Sequence, residues 1–502
     1  MKALKKLLFA TVALAAASIT AAPAATVTIH LAGSTAYRSA VHNAIAHILT
    51  SPTGAYIGGN LAGASYSVIQ GTVGSDTVIF ETAWNGSITG IKAITAPSTN
   101  KFPMLLPGGN TLTAVTASGQ SNFYSPYGLA PGVSGGSQVA SSGTPATVAG
   151  ATLGTTYENA NADVAFSDLF QSTAGLADAV AKTPTLAANR QGVLGILPFA
   201  FVKGAANTGD ADYATWQRIT DVTSNNVVAL YQSGQFSAQL ITNNSADLFV
   251  FLSATGRDVD SGTRGSAFAE SGFGVGNAPT QETISVTTAG PAGTVTGITP
   301  TTSGESSGGT LASKISTPGF DSAVGGYPLA YLGASDTDTL ITEGYAITVG
   351  VTGGSNTYTA ASLNAVGSGS IATGNSVYVD TLGGTALGTV TGIAGNVLTL
   401  SASIPAGTHT LVVDTKGGGY VRGTFLTFNG VALNKSNIQN GKYQYWEYEH
   451  YYLAAAPTTY VTSLINQLVN TDANVAGYYL SDMTNGGATV FKNSEGQPIN
   501  IQ

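Results

Sequence analysis

Three times along this 502-residue chain, an apolar strand pattern runs into a short turn of small residues and then into a helical pattern. The turns are Ala32-Gly33-Ser34-Thr35, Asn85-Gly86-Ser87 leading to Gly90, and Ser261-Gly262-Thr263. Strand, small-residue turn, helix is the opening unit of an α/β domain. Around the first turn, Thr26 to Leu31 alternates as a strand, and Val41, Ile45 and Ile48 share one face of a helix over 37–49. The second follows a strand at Ser67 to Ile69 or at Val78 to Phe80 and precedes a helix near Ile91. The third follows an apolar strand over Leu248 to Ser253 and opens a helix from Arg264. Strands over Ala162 to Phe166 and Leu194 to Val202, a helix near Val227 to Ser233 and a last helix over about 458–468 complete the rhythm.

Residues from about 95 to 160, 277 to 315 and 342 to 418 lose that rhythm. Gly supplies 64 positions of the whole chain, and in these stretches Gly, Ser and Thr dominate without helical periodicity. They read as β-rich insertions. Two of them share the words Gly-Thr-Val-Thr-Gly-Ile, at Gly293 to Ile298 and Gly388 to Ile393. A duplicated β-unit and convergence within one composition explain that equally well.

The first 25 residues have the form of a cleaved export signal. Lys2, Lys5 and Lys6 precede an apolar run from Leu7 to Ala17, and small residues follow around Ala22, Ala24 and Ala25. Its loss would leave about 15 basic against 26 acidic residues, which argues against a nucleic-acid partner. There is no cysteine, so neither disulfides nor a lipid anchor on an N-terminal cysteine is available. These features lead to an expected periplasmic or secreted location.

The chemistry available at the three turns is anion binding. Helix N-termini offer unpaired N–H groups and partial positive charge; Ser and Thr add hydroxyls; Gly admits a ligand close to the backbone. Any one such turn is more simply explained as a plain helix cap with no ligand. Three of them with Arg257 nearby point to a shared oxyanion.

The order of these motifs resembles the phosphate-binding proteins of ABC transporters, a family with the type II periplasmic binding fold. Ala32 to Thr35 is similar to that family's first anion loop, and Ser87 to Ile91 to its second. Asp163 to Asp168 is similar to its strand ending in Ser-Asp, and Arg257 to Thr263 to its Arg-x-x-x-Ser-Gly-Thr signature. Phe428 to Val431 and Asn437 to Tyr443 resemble its return segment. The resemblance implies an α/β fold of two lobes with a hinge, plus the β-rich insertions. Residues 26–194 (with the 95–160 insertion) and 415–502 would form lobe one. Residues 195–340 (with the 277–315 insertion) would form lobe two, and 341–414 a further β-rich insertion.

By the same resemblance, Ser34, Thr35, Ser87, Ser261, Gly262 and Thr263 would line the anion, with Arg257 supplying full positive charge. Asp168 would accept a hydrogen bond from a protonated phosphate oxygen, which sulfate lacks. Arg38 and Arg264, each early in a helix, are additional candidate contacts, with interdomain salt bridging as the other reading. Two positions depart from the pattern: Ala36 stands where an aromatic is common, and Val259 where an aspartate helps hold the arginine. The implied function is capture of phosphate or a related oxyanion for uptake by an ABC permease, with no cofactor and no catalysis. A surface or adhesive protein on the same fold is the alternative.

Other motifs point elsewhere less strongly. Gly132 to Gly136 has the Gly-x-Ser-x-Gly form without the flanking strand and helix of a hydrolase. His30, His42, His47, His409 and His450 show no metal spacing, so no metal site is expected. Asp336 and Asp338 read as a solvated turn, and Tyr443 to Tyr452 as an alternating strand.

Overall fold

The computed structural model describes residues 24–97, 99–117, 133–140, 151–176, 192–207, 209–290, 293–341, 344–351, 355–359, 371, 373–379, 386–394, 397–414, 420–485 and 487–502. Apart from Ala24 and Ala25, the expected export segment lies outside them, as does Gly132 of the Gly-x-Ser-x-Gly string. No helix among the described residues is long and apolar enough to cross a membrane.

The α/β rhythm is present. Strand β1 (Thr26–Gly33) leads into helix α1 (Arg38–Ile48). Strands β2 (Thr50–Ile57), β3 (Tyr66–Val73) and β4 (Asp76–Ala83) follow as antiparallel neighbours, and β4 lies parallel to β1. Both strand positions left open in the sequence are therefore filled, as two arms of one hairpin. Helix α2 (Ser87–Thr95) follows. Strands β5 (Phe102–Leu105) and β6 (Tyr157–Ala160) then form an antiparallel ribbon, and β7 (Val164–Ser167) pairs parallel to β1.

Strand β8 (Val193–Lys203) is buried at every residue, as its near-continuous apolar run requires. Further along come β9 (Gln235–Ser237), β10 (Phe251–Ala254), α3 (Gly262–Ser271), α4 (Gly308–Ile315), β11 (Tyr327–Gly333), α5 (Ala334–Ile341), β12 (Trp446–Leu453) and α6 (Thr459–Gln467). One sheet of fourteen strands runs β9-β10-β11-β8-β12-β7-β1-β4-β3-β2, then Thr113–Ala117 and Val133–Gly135. Thr424–Phe425 pairs with β8 and Ser137–Ala140 with β2. Within it β8 changes partner: residues 193–198 pair with β12, and residues 199–203 with β11.

Three expectations change. The strand expected over Leu248 to Ser253 is confined to Phe251–Ala254, because Ser245–Asp247 turns as a 3-10 helix. The buried Asp247 carboxylate holds that turn by accepting from Thr215, Thr242 and the Arg218 guanidinium. The tyrosine-rich strand β12 does not alternate, since Trp446, Glu447, Tyr448, Glu449 and His450 are all buried. It lies mid-sheet between β7 and β8, where both faces are covered.

The repeated hexapeptide occupies unlike places. Its first copy overlaps the returning strand of the Gln281–Val286 and Val295–Thr301 hairpin; its second lies on the outgoing strand that pairs with Val397–Leu400. That non-equivalence favours shared composition over duplication. The second copy belongs to a separate six-stranded sheet within 344–414, with its own core of Val377, Val390, Leu398, Leu411 and Val413.

Candidate functional site

Three strand-to-helix junctions of the sheet and the end of β7 meet in one buried cluster. At the end of β1, Gly33 takes φ +129°, and an added Cβ would stand 2.0 Å from the Phe166 carbonyl oxygen. Only glycine fits this approach to β7. The next amide, Ser34 N–H, donates to that same carbonyl at 2.9 Å. The turn thereby aims Ser34 and Thr35 into the cluster, and both are buried.

At the second junction, Gly86 N–H donates to the Gly33 carbonyl at 3.0 Å, and Ser87 opens α2. The Ser87 hydroxyl donates to Asp168 Oδ1, just beyond the end of β7. At the third, Ser261 caps α3 by accepting from the Arg264 N–H at 3.3 Å. Gly262 then passes so close that an added Cβ would lie 1.6 Å from Asp168 Oδ1 and 2.5 Å from Ser87 Oγ. Thr263, next in α3, is also buried. The two flanking elements are tied by the Ile88 N–H donating to the Asp260 carbonyl at 3.1 Å and by a Lys92–Asp260 ion pair of 2.6 Å.

Arg257 is fully buried. Its Nε donates to the Glu305 carbonyl at 3.0 Å, and its Nη2 to the Ser306 carbonyl at 3.1 Å and to Thr35 Oγ1 at 3.3 Å. Tyr331 supports it from behind, accepting from its backbone N–H at 3.1 Å. The anchoring that an aspartate at position 259 would give comes instead from two main-chain carbonyls before α4. Val259 itself is 67% exposed. Two donors remain without a protein partner, Arg257 Nη1 and Ser34 Oγ. Ser34 lies beside the buried Glu449 carboxyl on β12 without forming a well-shaped hydrogen bond to it.

The sequence-predicted residues thus fall into two groups. Ser34, Thr35, Ser87, Asp168, Arg257, Ser261, Gly262 and Thr263 sit at the four converging segments. Arg264 is turned elsewhere: its Nη1 reaches the Arg257 carbonyl at 3.5 Å, and its guanidinium lies over the Phe268 ring at 5.5 Å. Arg38, the first residue of α1, is buried and interacts with the Asp336 carboxylate.

Asp336 is the residue that sequence reading missed. It is not a solvated turn; it is 6% exposed in the first turn of α5, and its Oδ2 has no hydrogen-bond partner. The signal was available, since β11, Gly333 and α5 repeat the strand–glycine–helix pattern of the other junctions. Glu449 and the Glu305–Ser306 carbonyls carry no such signal, because only the fold brings them here.

Burial dominates the electrostatics. It pushes the Asp168 carboxyl up, helped by the Asp336 charge and opposed by the Ser87 hydrogen bond and Arg257. It pushes Asp336 up against the pull of Arg38 and Arg257. Glu449 is raised well above the carboxylate range by burial and by the Asp168 charge. Asp258, beside Arg257, is raised by burial to about 6.

No family model matches the chain, and neither does any curated protein. Among solved structures it is similar to a chain from Clostridium perfringens that carries the name of a phosphate ABC transporter substrate-binding protein and holds bound phosphate. The two are 10% identical with a TM-score of 0.33, covering 88% of this chain and 93% of that one. A likeness that slight carries neither geometry nor ligand across.

Proposed function

We propose that this chain is an exported solute-binding protein that encloses a small oxyanion, phosphate, at the Arg257 cluster and delivers it to an ABC permease. The observation that supports this best is the state of Arg257. Every hydrogen-bond acceptor around its guanidinium is neutral, and Nη1 has none. Asp168, Asp258 and Asp336 act on it only through space, so holding it buried without a hydrogen-bonded counter-charge costs free energy. An oxyanion accepting from Nη1, Ser34 Oγ and the amides at the starts of α2 and α3 would offset that cost.

In this reading Asp168 selects the ligand. Its carboxylate would accept from a protonated phosphate oxygen and face a sulfate oxygen unpaired. Residues 26–194 with 415–502 form one lobe and 195–340 the other, closing on the anion. The change of partner along β8, at Pro198 and Phe199, supports a hinge there. The sheet within 341–414 is then an addition outside both lobes.

Calorimetric titration with phosphate, sulfate and molybdate tests the proposal. Phosphate is expected to bind one-to-one, and Arg257→Ala to abolish binding. Absence of binding to all three anions would sink it.

A further inference from the structure

The histidine spacing in the sequence shows no metal motif, yet the fold carries His30 to two glutamates from other strands. His30 on β1 stands directly opposite Glu81 in the parallel register with β4, and Glu158 reaches them from β6. His30 Nε2 lies 3.1 Å from Glu158 Oε1 and 3.6 Å from Glu81 Oε2. One donor atom from each residue lies within 4.8 Å of the other two. Ligand atoms of a tetrahedral zinc centre stand about 3.3 Å apart, given metal–ligand bonds of about 2.0–2.1 Å. The two measured separations bracket that value.

Two further observations point to a cation rather than to a plain ion-pair cluster. Glu81 is 1% exposed, and its Oε2, facing His30 Nε2, has no hydrogen-bond partner. Asp163 grips the other side of the imidazole. Its Oδ2 accepts from the His30 backbone N–H at 2.8 Å and lies 3.2 Å from Nδ1. A carboxylate there draws the ring proton to Nδ1 and leaves the Nε2 lone pair free, as at histidines that ligate metals.

We propose that His30 Nε2, Glu81 and Glu158 bind one divalent cation of the zinc class. A neutral imidazole, two carboxylates and a dication sum to zero charge, which suits a site with one fully buried wall. Three protein ligands leave a fourth position for solvent on the side of Glu158, whose side chain is 42% exposed. The imidazole disfavours magnesium and calcium, which take oxygen ligands. Without a cation the same groups compete for protons. Burial pushes Glu81 up to about 7; it works to lower His30, yet the surrounding carboxylates leave His30 raised. A bound cation would also pin the β5–β6 ribbon to the main sheet, three residues before the Gly33 turn.

The test is calorimetric titration of EDTA-stripped full chain with Zn²⁺, then with Mg²⁺ and Ca²⁺, at pH 7.5. One equivalent of Zn²⁺ is expected to bind, more tightly than either of the others. Glu158→Gln, at the rim, should weaken binding at least about tenfold with an unchanged circular dichroism spectrum, and Asp163→Asn by about tenfold. His30→Ala should abolish it; if that variant does not fold, Glu158→Gln decides. No uptake by the wild type, or uptake that Glu158→Gln leaves unchanged, overturns the site and leaves His30 ion-paired only.

Discussion

Gly262 begins α3 without a side chain because the Asp168 carboxyl occupies the place where one would go. Gly262→Ala must displace Asp168 and Ser87 together, both buried. Overpacking of that kind is expected to lower stability by about 1–3 kcal/mol. Phosphate affinity should fall with it, measured by denaturant melts and titration on the same sample. Asp168→Asn keeps the shape and removes only the charge. If Asp168 selects a protonated oxygen, the preference for phosphate over sulfate should shrink about tenfold to a hundredfold, the worth of one buried unpaired group at about 1–3 kcal/mol. An unchanged ratio in competition titrations would remove Asp168 from the selectivity argument. Arg257 is the complementary case, a charge whose position is set by carbonyls that no sequence motif announces.

Strand β12 shows what an element gains from its neighbours. Its Glu447 is buried beside Lys492, whose ammonium lies 3.5 Å from Glu447, 2.8 Å from Glu270 and 4.9 Å from the Trp446 ring. Lys492 also donates to the Gln444 and Trp446 carbonyls at 2.6 and 2.8 Å. Glu495 closes the group, accepting from the Phe170 N–H at 2.8 Å. Breaking such a cluster from one side leaves uncompensated buried charge. Lys492→Ala should therefore cost about 3–5 kcal/mol in chemical denaturation. The double variant Lys492→Met with Glu447→Gln should cost less than Lys492→Ala alone. A larger cost for the double would show that packing, not charge, holds β12 here.

Among the described residues, the buried acids Glu81, Glu447, Glu449 and Glu495 outnumber the buried histidines and lysine that oppose them, His42, His450 and Lys203. Burial pushes Glu81 and Glu495 up to about 7, and Glu447 and Glu449 well above the carboxylate range. An acid raised on folding stabilises the fold at low pH and loses that contribution as pH climbs through its folded value. His42 and His450 act oppositely: burial lowers both to about 3, so they disfavour the fold below about 6.5 and are silent above it. Lys203, lowered by burial to about 7, alone among these adds stability as pH rises further. The acids win between pH 6.5 and 8. Melting temperature should fall across that window in metal-free buffer, at up to about 1.4 kcal/mol per pH unit for each retained proton. Glu449→Gln should make the fall shallower; a flat or rising profile in the wild type would contradict the assignment.

The α/β rhythm was legible because it is local: apolar period, small-residue turn and cap lie within about a dozen residues of one another. Gly33 could be placed at the end of its strand and Ser87 and Ser261 at helix starts for that reason, and Arg257 could be joined to them by motif order. Tertiary structure decided everything that depends on who stands opposite. It made β12 a strand buried on both faces where alternation was expected, by setting it between β7 and β8. It turned Asp336 from a presumed solvent residue into a neighbour of Arg38 and Arg257. It brought His30, Glu81 and Glu158 together from three strands, although no spacing along the chain links them. Local pattern fixes the conformation of a segment, whereas the charge and burial around a side chain come from segments hundreds of residues away.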